Sequence, residues 1–203
     1  DYDTTRGKNA HQQIITDFEQ GRTDILVGTQ MVAKGLDFDN VALVGILNAD
    51  NMLYFPDFRA YERAFQLMMQ VSGRAGRKGE QGKVLIQTYD IDHEMFGLLK
   101  ANDYLTFVKK QIEERKLFNY PPYNRLIGIT LKHKNQRKLD IAADGLVSLL
   151  RKSFGNRVLG PEYPVISRIR NYYHKNILLK IEQKGSITEA KNILQTIIGR
   201  MKQ

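Results

Sequence analysis

The stretch "QVSGRAGR", Gln70 to Arg77, sets two guanidinium groups, Arg74 and Arg77, three residues apart among glycines at the end of a long amphipathic run. A guanidinium is a planar fork of donors that matches phosphate oxygens, and one delivered across a cleft stabilises charge on a transferring phosphoryl group. Glycine lets the backbone come close to a phosphate, and residues i and i+3 are neighbours on a helical surface. The competing reading is a pair of solvated arginines beside a helix C-terminus, where the dipole favours cations.

A second set lies in "ILVGTQMVAKGLDFDN". Here a hydroxyl (Thr29), an amide (Gln30), Lys34, Gly35 and Asp37 follow an apolar run. That run reads as a buried parallel strand, and the loop at such a strand's end is where α/β proteins place ligand contacts. Each residue alone is ordinary loop material. The specificity comes from their combination with the arginines downstream.

The third set is basic and aromatic. Lys132, His133, Lys134, Arg137 and Lys138 cluster at one strand-to-helix turn, and Arg168, Arg170, Tyr172, Tyr173, His174 and Lys175 mix cations with rings. Cations hold phosphates and tyrosines stack on bases, a pairing common in single-strand binders. Packing of Tyr172 or Tyr173 beneath a sheet is the alternative for each ring.

Charge agrees with this division. Residues 1 to 96 hold 10 Lys and Arg against 14 Asp and Glu, a net of −4, whereas residues 97 to 203 hold 21 against 8, a net of +13. The basic excess is confined to the second half, as for a module that meets a polyanion. The chain has no cysteine, which excludes disulfides and thiolate metal sites and fits a reducing cytoplasm. Its four histidines are too scattered for metal-ligand spacing. No apolar run approaches the roughly 20 residues that span a bilayer, so no membrane partner is expected. The first residue is Asp1 and no leader signal follows, so the sequence is expected to be a piece of a longer protein.

These residues need a scaffold. The order of elements predicts an α/β layer: a helix to Gly21, a strand at "TDILVGT", a loop, a strand at "VALVGILNAD", a long helix in 57–76, and a strand at "GKVLIQTYD". The long helix sets Phe58, Tyr61, Phe65, Met68 and Met69 on one side. Two charged helices in 92–118 follow, and "NYPPYN" stops the second because proline lacks the amide donor. Beyond it the pattern β-α-β-β-α predicts a small α+β sandwich, with Ser186 capping the last helix and Glu189 placed for a capping box. The expected domains are 1–96, a connector of helices at 97–118, and 119–203.

"GTQMVAKGLDFD" resembles helicase motif V, and "QVSGRAGR" resembles motif VI, both from the second RecA-like lobe of superfamily 2 helicases. With "PDFRAYERAFQLMMQ", "LFNYPPYNRL" and "VLGPEYPVISRIRNYY", the whole chain is similar to the PriA (primosomal protein N′) family of bacterial replication-restart helicases. The resemblance implies a partial RecA-like lobe, a parallel sheet with flanking helices, joined to the α+β domain. It also implies ATP and Mg2+, bound mainly by a first lobe that lies outside this chain; no cofactor is expected on this part alone, and the family's zinc-binding cysteines are absent from it. Arg74 and Arg77 would then reach the γ-phosphate, with Gln70, Gly73, Gly35 and Asp37 around the nucleotide. Thr29, Gln30 and Lys34 would meet the DNA strand. Lys132, Lys134, Arg137, Lys138, Arg168, Arg170, Tyr172, Tyr173 and Lys175 would serve nucleic acid in the second module. Implied partners are forked or single-stranded DNA, the acidic C-terminal tail of single-stranded DNA-binding protein, and other primosome proteins, with 3′ to 5′ polarity and a bacterial cytoplasmic location. The alternative is a non-catalytic nucleic-acid-binding or ribosome-associated module, which leaves the patterning of residues 25–82 without a reason.

Overall fold

A computed structural model describes residues 10–29, 41–73, 75–76 and 82–201. The chain forms two compact units, 1–108 and 109–203.

The first unit opens with α1 (Ala10–Glu19), which ends before Gly21 at φ 66°, a conformation suited to glycine. Strands β1 (Leu43–Ile46) and β2 (Lys83–Ile86) pair in parallel, Leu43 opposite Lys83 through Ile46 opposite Ile86. Between them run α2 (Asp50–Leu53) and α3 (Ala60–Ser72), and after them α4 (Glu94–Lys100) and the first residues of α5 (Tyr104–Leu117), a helix that continues into the second unit. Ile46 and Ile86 pack on a core made of Ala49, Leu53, Ala64, Phe65, Met68, Met95, Phe96 and Phe107. Phe65 and Phe107 stack at its centre, their ring centroids 4.1 Å apart. Of the residues expected on one side of α3, Phe65 and Met68 are buried, while Tyr61 and Met69 pack at the rim of this core.

Two expectations about the strands change. "TDILVGT" is not a strand: Ile25 and Val27 are 79% and 81% exposed. A strand exists only through a neighbour's hydrogen bonds, and among the described residues of this unit β1 and β2 pair only with each other. "VALVGILNAD" contributes four residues, and these alternate in burial instead of being buried throughout. Helices cover the face of Ile46 and Ile86, whereas Leu43 and Leu85 on the other face remain 52% and 63% exposed.

The second unit is an antiparallel sheet of four strands, β3 (Asn124–His133), β4 (Val158–Glu162), β5 (Arg168–Ile169) and β6 (Tyr172–Glu182), with β6 in the middle. Helix α6 (Gln136–Phe154) lies between β3 and β4, and α7 (Ile187–Met201) closes the chain. Both bury apolar stripes, Leu146, Val147, Leu150 and Phe154 of α6 and Ala190, Leu194 and Ile197 of α7, against Ile177, Leu179 and Ile181 of β6. This is one sheet with its helices on one face. The start of α7 is capped by Ser186, whose Oγ accepts from the Glu189 amide at 3.2 Å. Gly160 holds β4 against β6: its φ is 97°, and a Cβ there would lie 2.8 Å from the Asn176 carbonyl oxygen.

The chain entering this unit is fastened before β3 begins. Lys180 Nζ donates to the Phe118 carbonyl at 2.6 Å and sits 3.8 Å above the Tyr120 ring. Gln183 donates to the Pro122 carbonyl, and Arg115 to that of Pro121 at 3.1 Å. Burial lowers the pKa of Lys180.

Phe65 and Leu179 are each fully buried. Leu179→Ala is expected to cost about 2–5 kcal/mol and Phe65→Ala about 3–5 kcal/mol, through lost transfer energy and the cavity left behind. Urea unfolding of each variant checks this.

Candidate functional site

The first candidate surface is the loop between α3 and β2. Gln70 is exposed near the end of α3, and Gly73 caps that helix, its amide donating to the Met69 carbonyl at 3.1 Å. The Gly76 amide donates to the Val41 carbonyl at 3.2 Å, and the Lys83 amide to that of Ala42 at 2.9 Å. The loop is thereby bonded to the chain just ahead of β1, where the segment holding Lys34, Gly35 and Asp37 ends. Gly76 has φ 80°, so the position between the two arginines needs a residue without Cβ. Thr29 is exposed. Gln30, Lys34, Gly35, Asp37, Arg74 and Arg77 lie outside the described residues.

Asp50 fixes the opposite ends of the strands. Its carboxylate accepts from the Thr88 hydroxyl at 2.9 Å and from the Tyr89 amide at 3.1 Å. Desolvation pushes its pKa up, but the Thr88 hydroxyl and the amides together hold it below the usual value. Beside it Tyr54 donates to Asp90 at 2.7 Å, and that bond, ahead of desolvation, pushes the phenol pKa up to about 12.

The second surface is the β5–β6 hairpin with the end of β3. Arg170 and Asn171 form its turn at φ 46° and 66°, the pair of left-handed residues that a two-residue hairpin loop requires. Lys132 and Lys134 hold their ammonium groups 5.9 and 5.6 Å from the Tyr172 ring centroid, and the Arg168 guanidinium lies 5.1 Å from that of Tyr173. Lys132, Lys134, Arg168 and Arg170 are all exposed. Arg137 and Lys138 are exposed in the first turn of α6, where the Asn135 side chain accepts from the Lys138 amide at 3.0 Å.

Lys175 departs from this set. It is 9% exposed on the helix-covered face, with Nζ 2.8 Å from Asp140 and 4.8 Å from the centroid of Tyr163. Tyr163 donates to the same carboxylate and accepts from Gln136 at 3.1 Å. The Lys175 charge is already neutralised inside the module, and its work is to join β6, α6 and the β4–β5 loop. Asp140 and Tyr163, its partners, carried no signal in the sequence. The period-two alternation of β6 could have separated Lys175 from Tyr172 and His174, since adjacent parities face opposite sides.

With this geometry in view, the chain proves to be helicase-like: residues 2–79 match the family described as helicase conserved C-terminal domain, and residues 116–203 match the primosomal protein N C-terminal domain. It is 42% identical over 205 residues to replication restart protein PriA of Bacillus subtilis, covering 100% of this chain and 25% of that protein. The PriA of Synechocystis is 41% identical over 182 residues (89% of this chain, 22% of that protein), and that of Haemophilus influenzae 37% over 194 (94% and 26%). The chain belongs to the PriA family and corresponds to its C-terminal region, spanning about a quarter of the length of these relatives.

The Asp140–Lys175 pair predicts a pH profile. The bond to Lys175, then that to Tyr163, lowers the Asp140 pKa, and the bond to Asp140 raises that of Lys175 against the opposing effect of burial. The Asp140 contribution is therefore complete above the unfolded carboxylate value of about 3.9 and is lost as pH falls through the lower folded value. The Lys175 contribution is complete below about 10.4 and is lost as pH rises through the higher folded value. Asp140→Asn is expected to lower the melting temperature near neutral pH, with the gap from wild type narrowing below about pH 3.9. Thermal denaturation across pH checks this.

Proposed function

We propose that the chain is the C-terminal part of an ATP-dependent DNA helicase that recognises forked DNA and restarts replication by loading the primosome. The observation that carries the motor reading is the bond from Gly76 to Val41, which ties the glycine between Arg74 and Arg77 to the end of the segment holding Lys34, Gly35 and Asp37. Two stretches that resemble nucleotide-coupling motifs thus leave the scaffold at one place.

The donor chemistry at this place fits a nucleotide whose phosphates are held chiefly by another lobe. Arg74 and Arg77 supply bidentate guanidinium donors, the exposed Gln70 a carboxamide, and Gly76 a close backbone approach. ATP with Mg2+ supplies the free energy of translocation in the complete protein. Thr29, Gln30 and Lys34 link that site to the DNA strand, and polarity is 3′ to 5′ as in the family. In the second module Lys132, Lys134, Arg137, Lys138, Arg168 and Arg170 hold DNA phosphates. The same basic module suits the acidic tail of single-stranded DNA-binding protein, and other primosome proteins complete the partners. The relatives are bacterial, and no helix among the described residues is long and apolar enough to cross a membrane.

The chain alone is expected neither to hydrolyse ATP nor to unwind DNA, and robust turnover would overturn the shared-cleft reading. In the full-length protein Arg77→Ala should lower DNA-stimulated ATPase activity by about 10³ to 10⁵ if it acts as other arginine fingers do. Near-normal activity would reassign it to the surface. Forked DNA titrated against the 203-residue chain should bind more weakly as salt rises, by roughly 0.9 log units per log unit of salt for each neutralised phosphate. Replacing Lys132 and Lys134 by alanine should make that slope shallower by about 2.

A further inference from the structure

We propose that the helix-free face of the second module's sheet is a stacking platform for one or two unpaired nucleobases, with Tyr172 as its aromatic floor. This rests on the DNA-binding reading of the module and specifies what that face takes.

The register places the residues. Along β6, Tyr172, His174, Asn176, Leu178 and Lys180 share the face opposite the helices. From β3, Lys132 pairs with His174, Thr130 with Asn176 and Gly128 with Leu178. Ile169 of β5 pairs with Tyr172. Tyr172 and Ile169 are 37% and 49% exposed, so an aromatic and an aliphatic surface lie side by side in solvent. Next along the strands come groups that address a base edge. Thr130 Oγ1 donates to Asn176 Oδ1 at 3.0 Å, which holds the amide in place and leaves its nitrogen as a donor.

The face is closed at one end and charged at the other. Phe118 and Tyr120 cap it at Lys180. Between Tyr172 and Asn176 a strand advances about 13 Å, which limits the footprint to a very short stretch of strand. At the Tyr172 end, Lys132 and Lys134 flank the ring on flexible stems. A base that slides onto the ring displaces their ammonium groups toward the phosphates on either side of it. Bases in a duplex are stacked on one another and cannot reach a flat sheet. The ligand is therefore single-stranded DNA or an unpaired nucleotide at a junction. Tyr173, on the other face beside Arg168, takes no part.

The test uses the 203-residue chain with an oligothymidylate of about ten nucleotides carrying one central 2-aminopurine, and a blunt duplex as comparison. Wild type should quench the 2-aminopurine fluorescence on binding. Tyr172→Ala should abolish the quench and weaken single-strand binding about 5- to 150-fold, leaving duplex binding and the melting temperature unchanged. Tyr172→Phe should retain both quench and affinity, because the ring is what stacks. Full quenching by Tyr172→Ala overturns the platform, while salt-dependent binding that survives in that variant leaves the phosphate-binding reading standing. If wild type binds neither DNA, both readings fall.

Discussion

Strand β6 is hydrogen-bonded along both edges, to β3 through ten register pairs and to β4 and β5 on the other side. Each of its residues is therefore committed to one of two faces, and a slip by one position would exchange Ile177, Leu179 and Ile181 for a set that includes Lys180 and either Asn176 or Glu182. The apolar stripes of α6 and α7 make that slip costly, so the hydrophobic core of the module also decides which cations meet solvent. Lys175 goes inward to Asp140, while His174 and Asn176 on either side of it go to the opposite face. The same strand thus carries a structural ion pair and a solvent-facing row at adjacent positions.

The first unit uses a different device. Its parallel pair is short, and main-chain bonds beyond the strand ends hold the frame. The Gly76 amide reaches Val41, the Lys83 amide reaches Ala42, and beyond the strand ends Asp50 gathers Thr88 and Tyr89. A core centred on the stacked Phe65 and Phe107 supports that frame. Here main-chain bonds, not a long strand register, fix the frame.

Elements with strong local signatures were legible. The 3.6-residue spacing of α3, α6 and α7, the alternation of β3, the Ser186 cap and the stop at "NYPPYN" follow from periodicity and backbone chemistry. The motifs "GTQMVAKGLDFD" and "QVSGRAGR" pointed to the family that the comparisons support. What was not legible depends on partners distant in sequence. "TDILVGT" has the composition of a strand but no ladder beside it among the described residues, and one face of β1 stays exposed because the helices of its core cover the other. The burial of Lys175 turns on Asp140, 35 residues earlier in the chain. Neighbouring basic residues looked alike until the pleat assigned them to faces.

The fastening of residues 118–122 to β6 has a mechanical consequence. Because Lys180 and Gln183 grip the incoming chain before β3 starts, a pull applied through α5 does not arrive at the β3 edge to open its ladder one bond at a time. It is shared with the C-terminal end of β6, the end that pairs with the start of β3. Under tension on that segment the small sheet moves as one handle instead of peeling open from its β3 edge.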